Sequence, residues 1–265
     1  MWEKELEASI AAAVEAGRAI MDVYEKSENV LEVEYKSDSS PLTAADKTSN
    51  SIIIKTLKER FPEYAILSEE EKDDKKRLEN RLCFVIDPLD GTKEFIKRNG
   101  QFTVNIALSN DHVSEMGVIY VPVTKELYYA SKGGGAYYKK DGEEPERIHV
   151  SDNKEISELK VVMSSSHGCK EMDDLIEKYS LKNFVKMGSS LKGCLVASGK
   201  ADVYFRHNPT MEWDTAAMQC IVEEAGGIFR QMDDSPMRYN RENSLNDKGF
   251  YVINCMENRL RDSSL

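Results

Sequence analysis

Apolar residues keep three different rhythms along the chain. Leu6, Ile10, Ala13, Val14, Gly17, Ile20, Met21 and Tyr24 recur three or four apart, which predicts one long helix over residues 3–27 with a single core-facing stripe. Leu31, Val33 and Tyr35 then alternate with Glu32 and Glu34, the pattern of a half-buried strand. The polar run 36–42 predicts a loop. Thr43, followed three residues on by Asp46, has the form of a capping box that opens a helix reaching about Arg60, where Phe61-Pro62 stops it. A short apolar piece at 64–67 runs into the acidic stretch Ser68-Glu69-Glu70-Glu71-Lys72-Asp73-Asp74.

The run Leu82-Cys83-Phe84-Val85-Ile86 is continuously apolar, as in a strand buried on both faces. It delivers the chain into Asp87-Pro88-Leu89-Asp90-Gly91-Thr92, a predicted tight turn, because Pro88 cannot donate to a ladder and Gly91 can take positive φ. Thr92 is placed to cap a short helix through about Arg98. Segments at 102–108, 116–121, 125–130, 136–140 and 147–150 follow at close intervals, punctuated by Asn110-Asp111, Pro122, Gly133-Gly134-Gly135 and Asp141-Gly142. This is the rhythm of an antiparallel meander. From about residue 157 the rhythm changes again. Strand segments at 159–163, 184–187, 203–205, 227–230 and 250–254 alternate with helical ones near 171–179, 190–198 and 214–225, a layered arrangement of helices and strands. A domain boundary is expected at 151–157, dividing the chain into 1–154, an N-terminal part with the meander, and 155–265.

Composition narrows the class. With 265 residues, 40% hydrophobic and 31% charged, the chain can bury a large core. No apolar run approaches the 18 or more residues of a membrane span. Met1-Trp2-Glu3-Lys4-Glu5 leads straight into the first helix, unlike a signal peptide, so a cytoplasmic location is expected. Five widely spaced cysteines without a C-x-x-C pair read as reduced thiols in apolar surroundings. The net charge of −11 argues against a nucleic-acid polymer as partner, though not against a small anion that arrives with metal ions.

Candidate chemistry lies in the acids at element ends: Asp46, Glu69, Glu70, Asp87, Asp90 and Asp214. Two carboxylates about 4 Å apart repel by roughly 4 kcal/mol at an effective dielectric near 20. A cation removes that penalty, and all-oxygen ligation by Asp87, Asp90 and the Leu89 carbonyl suits Mg²⁺. Taken singly, Asp46 and Asp214 also read as helix caps and residues 69–74 as a solvated face. The central turn has less structural excuse for two acids beside a glycine. An EF-hand loop is excluded by the spacing of these acids.

Asp87-Pro88-Leu89-Asp90-Gly91-Thr92 with Trp213-Asp214-Thr215-Ala216-Ala217 resembles the paired signatures of the inositol monophosphatase superfamily of Mg²⁺-dependent, lithium-sensitive phosphatases. The stretches 36–46, 91–108, Ser164-Ser165-Ser166-His167, Gly188-Ser189-Ser190-Leu191-Lys192 and 209–214 are similar to its CysQ-type branch, the 3'(2'),5'-bisphosphate nucleotidases. The resemblance spans nearly the whole chain and implies an α+β fold, the layered α/β/α/β/α sandwich, with the site between its halves. It implies two or three Mg²⁺ ions held by Glu69, Asp87, the Leu89 carbonyl, Asp90 and Asp214. Asp46 and Thr92, assisted by Glu69, would polarise an attacking water. Asp90, Gly91, Thr92 and Asp214 would meet the substrate, as would His167 near its ribose or base. Ser189, Ser190 and Lys192 would hold the phosphate that is not cleaved, with Arg206 adding charge. The implied reaction is removal of the 3'-phosphate of adenosine 3',5'-bisphosphate, or of its 3'-phospho-adenylylsulfate precursor. An inositol monophosphatase and a catalytically silent phosphate-binding protein are the competing readings. A homodimer, and a peripheral position at an inner membrane as in some bacterial relatives, are compatible with the resemblance.

Overall fold

The structure, a computed structural model, describes residues 1–26, 33–35, 41–73, 75–164 and 168–261. Its first part holds α1 (Glu3–Lys26), β1 (Val33–Tyr35), β2 (Pro41–Thr43), α2 (Ala44–Arg60), β3 (Ala65–Ser68), β4 (Leu82–Asp90) and α3 (Thr92–Ile96). The meander follows as β5 (Thr103–Asn110), β6 (Val113–Val121), β7 (Glu126–Ser131), β8 (Gly135–Lys140) and β9 (Glu146–Ile148). Strands β3 to β9 make one sheet in sequence order, antiparallel except for the parallel β3–β4 pair. The remainder comprises β10 (Lys160–Ser164), α4 (Lys170–Tyr179), β11 (Asn183–Met187), α5 (Leu191–Ala197), β12 (Val203–Arg206), β13 (Thr210–Met211), α6 (Glu212–Glu224), β14 (Ile228–Gln231), β15 (Leu245–Asn246) and β16 (Phe250–Ile253). Five of these strands form a mixed sheet in the order β11-β10-β12-β16-β14.

Period-two alternation sorts the side chains of this second sheet. Val162, Tyr204, Phe250 and Val252 face the central core shared with α5, α6 and the first sheet. Val161, Val203, Phe205, Tyr251 and Ile253 face the other way, against Met172 and Leu175 of α4. On the far side of the first sheet, Ala8, Ala12, Ala13, Ala16 and Ile20 of α1 pack with Ile53 and Leu57 of α2 over Phe84, Ile86, Val104 and Val118. The result is five layers, helix, sheet, helix, sheet, helix, as the α+β sandwich requires. The middle layer is tight: a Cβ on Gly117 of β6 would sit 2.3 Å from the Ala217 carbonyl oxygen, so α6 runs against bare backbone there. Among the described residues no helix is long and apolar enough to cross a membrane.

Several local expectations are corrected. The strand expected to end at Ile86 continues to Asp90: Asp87 pairs with Asn105 and Asp90 with Thr103, so one extra residue bulges from β4. Pro88 lies in that bulge, where the ladder needs no donor, and its carbonyl accepts the Ser49 hydroxyl at 2.6 Å. Thr92 does not cap α3. Gly91, at φ 92°, takes the cap position, and Thr92 is the first helical residue, its hydroxyl turned to Asp46 instead. Likewise α6 begins at Glu212, so Asp214 is its third residue and accepts the Met211 N–H at 2.6 Å. Strand β1 falls within the strand expected at 31–35, but its partner β2, at the end of the expected loop 36–42, and the pair β13–β15 were not anticipated; residues 27–32 and 36–40 lie outside the described residues.

Candidate active site

Five acids reach one region on four different supports. The bulge in β4 aims Asp87 and Asp90, the end of β3 carries Glu69, the first turn of α6 carries Asp214 and the first turn of α2 carries Asp46. One carboxylate oxygen from each of Asp87, Asp90 and Asp214 lies within 4.8 Å of the others. Such a cluster is self-repelling. Burial first, and then the neighbouring Glu69, Asp90 and Asp214 charges, hold the Asp87 carboxyl well above the ordinary range. Burial and the Asp90 charge likewise push Asp214 up to about 7. An all-oxygen donor set under this repulsion is what a hard divalent cation relieves, so the residues fit Mg²⁺.

The supports of the cluster are hydrogen-bonded in turn. Asp46 accepts the Thr43 N–H at 2.8 Å and hydroxyl at 2.6 Å on one oxygen, and the Thr92 hydroxyl at 3.2 Å on the other. Burial outweighs these bonds and raises its pKa. The Leu89 carbonyl lies 3.4 Å from the Thr92 hydroxyl. Glu69 is held through its backbone N–H to Ile86 at 3.2 Å, and Ser68 through its hydroxyl to Asn50 at 2.7 Å.

Asp90 does two jobs. Its Oδ2 faces the Ser189 hydroxyl at 2.6 Å, the Ser190 N–H at 2.6 Å, the Ser190 hydroxyl at 2.7 Å and the Asn105 amide at 3.3 Å. The turn before α5 is thereby latched to β4 and β5 by the same carboxyl group that joins the acid cluster. Ser189 itself is left-handed, at φ 53°. Asn105 and Thr103 complete the latch: Asn105 donates to Ser190 Oγ at 2.9 Å, and Thr103 Oγ1 lies 2.7 Å from Ser189 Oγ. Sequence reasoning gave these two residues no role. Their signal was two polar positions, one strand period apart, in the otherwise apolar run Phe102-Thr103-Val104-Asn105-Ile106.

A cavity of about 240 Å³ opens over the cluster, and its wall includes Glu69, Asp90, Gly91, Thr92 and Asp214 together with Lys192 and Arg206. Lys192 is 7% exposed; its ammonium donates to the Ser189 carbonyl at 2.5 Å and lies 5.6 Å from the Tyr204 ring centre. Burial lowers its pKa, while the Asp90 charge works against that. Arg206 Nε is buried without a hydrogen-bond partner among the described residues. The structure therefore brings together Asp46, Glu69, Asp87, Leu89, Asp90, Gly91, Thr92, Ser189, Ser190, Lys192, Arg206 and Asp214. His167 lies outside the described residues.

Comparison with known proteins points the same way. Residues 1–258 match the family model described as the inositol monophosphatase family. The chain is 39% identical over 248 residues to the 3'(2'),5'-bisphosphate nucleotidase CysQ of Salmonella typhimurium, covering 93% of this chain and 98% of that one. It is 38% identical to the protein of that name from Escherichia coli K12, over 89% of this chain and 94% of the other. The crystal structure of CysQ from Bacteroides thetaiotaomicron superposes with a TM-score of 0.84 at 42% identity, covering 96% of this chain and 99% of that one. The suhB protein of Bartonella henselae superposes at 0.81 with 26% identity, over 97% and 95% of the two chains. The chain belongs to the inositol monophosphatase family.

Proposed function

We propose that this protein is a 3'(2'),5'-bisphosphate nucleotidase that removes the 3'-phosphate of adenosine 3',5'-bisphosphate, releasing AMP and phosphate. One observation carries the reading: a single cavity is walled both by the carboxylates and by cations, with Lys192 and Arg206 from the second half of the chain joined by Lys93 beside Thr92. A substrate with one phosphate gives those cations nothing to neutralise, whereas a bisphosphate engages acids and cations together. The identity to CysQ proteins supports the same substrate class.

Glu69, Asp87, Asp90, Asp214 and the Leu89 carbonyl would hold two or three Mg²⁺ ions. When bound, these supply charge neutralisation on the phosphate and acidify a water. The protein's own part is orientation and proton management. Because Thr92 donates its hydroxyl proton to Asp46, its oxygen lone pairs are free to accept from a water aimed in line at phosphorus. The water adds to phosphorus as the bond to the 3'-oxygen breaks, and its proton passes towards the Thr92–Asp46 pair. No side chain is required as a covalent nucleophile. Lys192 and Arg206 meet the uncleaved phosphate, and Ser189 and Ser190 frame its seat through their bonds to Asp90. Residues 1–154 and 155–265 act as two halves of one catalytic body, the second contributing Asp214, Lys192 and Arg206. A cytoplasmic homodimer acting on a soluble nucleotide completes the proposal, in keeping with five cysteines that form no disulfide.

The test is Mg²⁺-dependent phosphate release from adenosine 3',5'-bisphosphate and from inositol 1-phosphate, side by side. Preference for the nucleotide is expected, and Lys192→Ala should raise KM for the bisphosphate while leaving KM for a monophosphate ester unchanged. Faster turnover of the inositol ester would replace this reading by inositol monophosphatase, the alternative that shares the acid cluster. Sedimentation in solution tests the dimer.

A further inference from the structure

Arg77 has no place in the chemistry above, yet it is only 4% exposed and all three guanidinium nitrogens are engaged. Nε donates to Asp73 Oδ1 at 3.1 Å, Nη1 to Asn240 Oδ1 at 2.9 Å, and Nη2 to both Asp73 Oδ2 and the Arg241 carbonyl at 2.8 Å. Asn240 returns its amide to the carbonyls of Arg77 and Asn80, both at 3.1 Å. The two segments are thus laced in both directions.

The lacing continues to α6. The backbone N–H groups of Asn240 and Arg241 donate to the two oxygens of Glu212 at 2.6 and 3.0 Å, and Arg241 Nε lies 3.2 Å from Oε1. Glu212 is fully buried and is the first residue of α6. One polar strut, buried at Arg77, Asn240 and Glu212, therefore runs from residue 73 to residue 212. Glu69 lies four residues before one end and Asp214 two residues after the other. Between Glu69 and the strut, Asn50 grips Glu71 at 2.8 Å.

We infer that Arg77 is a positioning residue, which, through Asn240 and Glu212, sets the spacing between Glu69 and Asp214 and thereby the affinity of the acid cluster for divalent cations. The inference rests on the metal-dependent reading of the site. A planar fork with all three nitrogens engaged transmits orientation, which a flexible ammonium or an apolar chain of similar size does not. Buried ion pairs often add little net stability, so geometry is the better account of this one.

The experiment is calorimetric titration of the full-length chain with Mg²⁺, for wild type, Arg77→Lys, Arg77→Met and the control Asn258→Ala, each also unfolded in urea. Asn258 is a buried hub that bonds the Asn153 carbonyl at 2.7 Å and Asn254 at 2.8 Å, and neither it nor its partners line the cavity. Both Arg77 variants are expected to bind Mg²⁺ about 10–100-fold more weakly, the range for residues that orient metal ligands. Their KM for nucleotide at saturating Mg²⁺ should not change. Asn258→Ala should lose stability and keep the wild-type Kd. Should Arg77→Met fail to fold, the conservative Arg77→Lys decides. A wild-type Kd in folded Arg77→Lys, or an equal loss in Asn258→Ala, overturns the inference alone. A wild-type chain that binds no Mg²⁺ overturns the proposed function and the inference with it.

Discussion

Replacing Asp90 by asparagine sets two large effects against each other. Losing the charge weakens the latch. Three short contacts reach Oδ2 from Ser189 and Ser190, and exchanging a charged for a neutral acceptor costs about 1 kcal/mol in each, about 3 kcal/mol together. The same change relieves repulsion: at the 4.8 Å limit that encloses the three acids, two full charges repel by about 3.5 kcal/mol at an effective dielectric near 20. Separations shorter than that limit increase the repulsion, whereas the upward-shifted pKa values of Asp87 and Asp214 reduce it. The two terms nearly cancel, so without metal Asp90→Asn should fold and unfold in urea within about 2 kcal/mol of wild type. With Mg²⁺ at a hundred times its Kd, wild type gains about 2.7 kcal/mol and the variant almost nothing. A gap should therefore open on adding Mg²⁺, and phosphate release should be lost. The assay is urea unfolding followed by circular dichroism, in EDTA and in Mg²⁺, beside turnover. Equal Mg²⁺ stabilisation of both proteins would refute the assignment of Asp90 to the metal cluster. A loss well above about 4 kcal/mol in EDTA would show that the latch dominates and that the residue is chiefly structural.

Other outcomes follow from the same geometry. Thr92→Val removes the hydroxyl that bonds Asp46 and should lower kcat by about 10²–10⁴ with the Mg²⁺ Kd unchanged; a kcat within tenfold of wild type would remove Thr92 from the proton path. Burial pushes the Asp73 carboxyl up, but the Arg77 and Lys75 bonds win and hold it below the usual carboxylate range. Its contribution is therefore complete above the unfolded value near 4 and is lost as pH falls below that, so Asp73→Asn should flatten the acid limb of a stability profile, and an unchanged limb would contradict the assignment. Gly117→Ala drives a methyl group into the Ala217 carbonyl and should cost about 1–3 kcal/mol while weakening Mg²⁺ binding, because α6 carries Asp214; thermal unfolding and calorimetry check both.

Much of the fold was written in spacing. The heptad-like stripe from Leu6 to Tyr24, the apolar run into Asp87 and the turn residues between the meander strands each acted locally, and local chemistry is what a sequence displays. The acids were legible for the same reason, each standing where an element starts or stops. Their precise supports were not. Pro88 looked like a terminator, but the Ser49 hydroxyl on its carbonyl keeps the strand going through a bulge. Thr92 looked like a cap, but its partner lies 46 residues away. The latch joins Asp90 to Ser190 across 100 residues, and no period in the chain marks such a pairing. Resemblance, rather than spacing, brought Lys192 and Arg206 to the site.

Strand β16 pairs with both β12 and β14, although it is the last strand of its sheet to be synthesised. Until Phe250 to Ile253 emerge, the second sheet is two unjoined pieces, β11-β10-β12 and β14. Glu69, Asp87 and Asp90 are by then long since made, and Asp214 is the last of the acids to be added. The growing chain therefore cannot complete its acid cluster before residue 214 is made, nor join the two pieces of its second sheet before β16 is made.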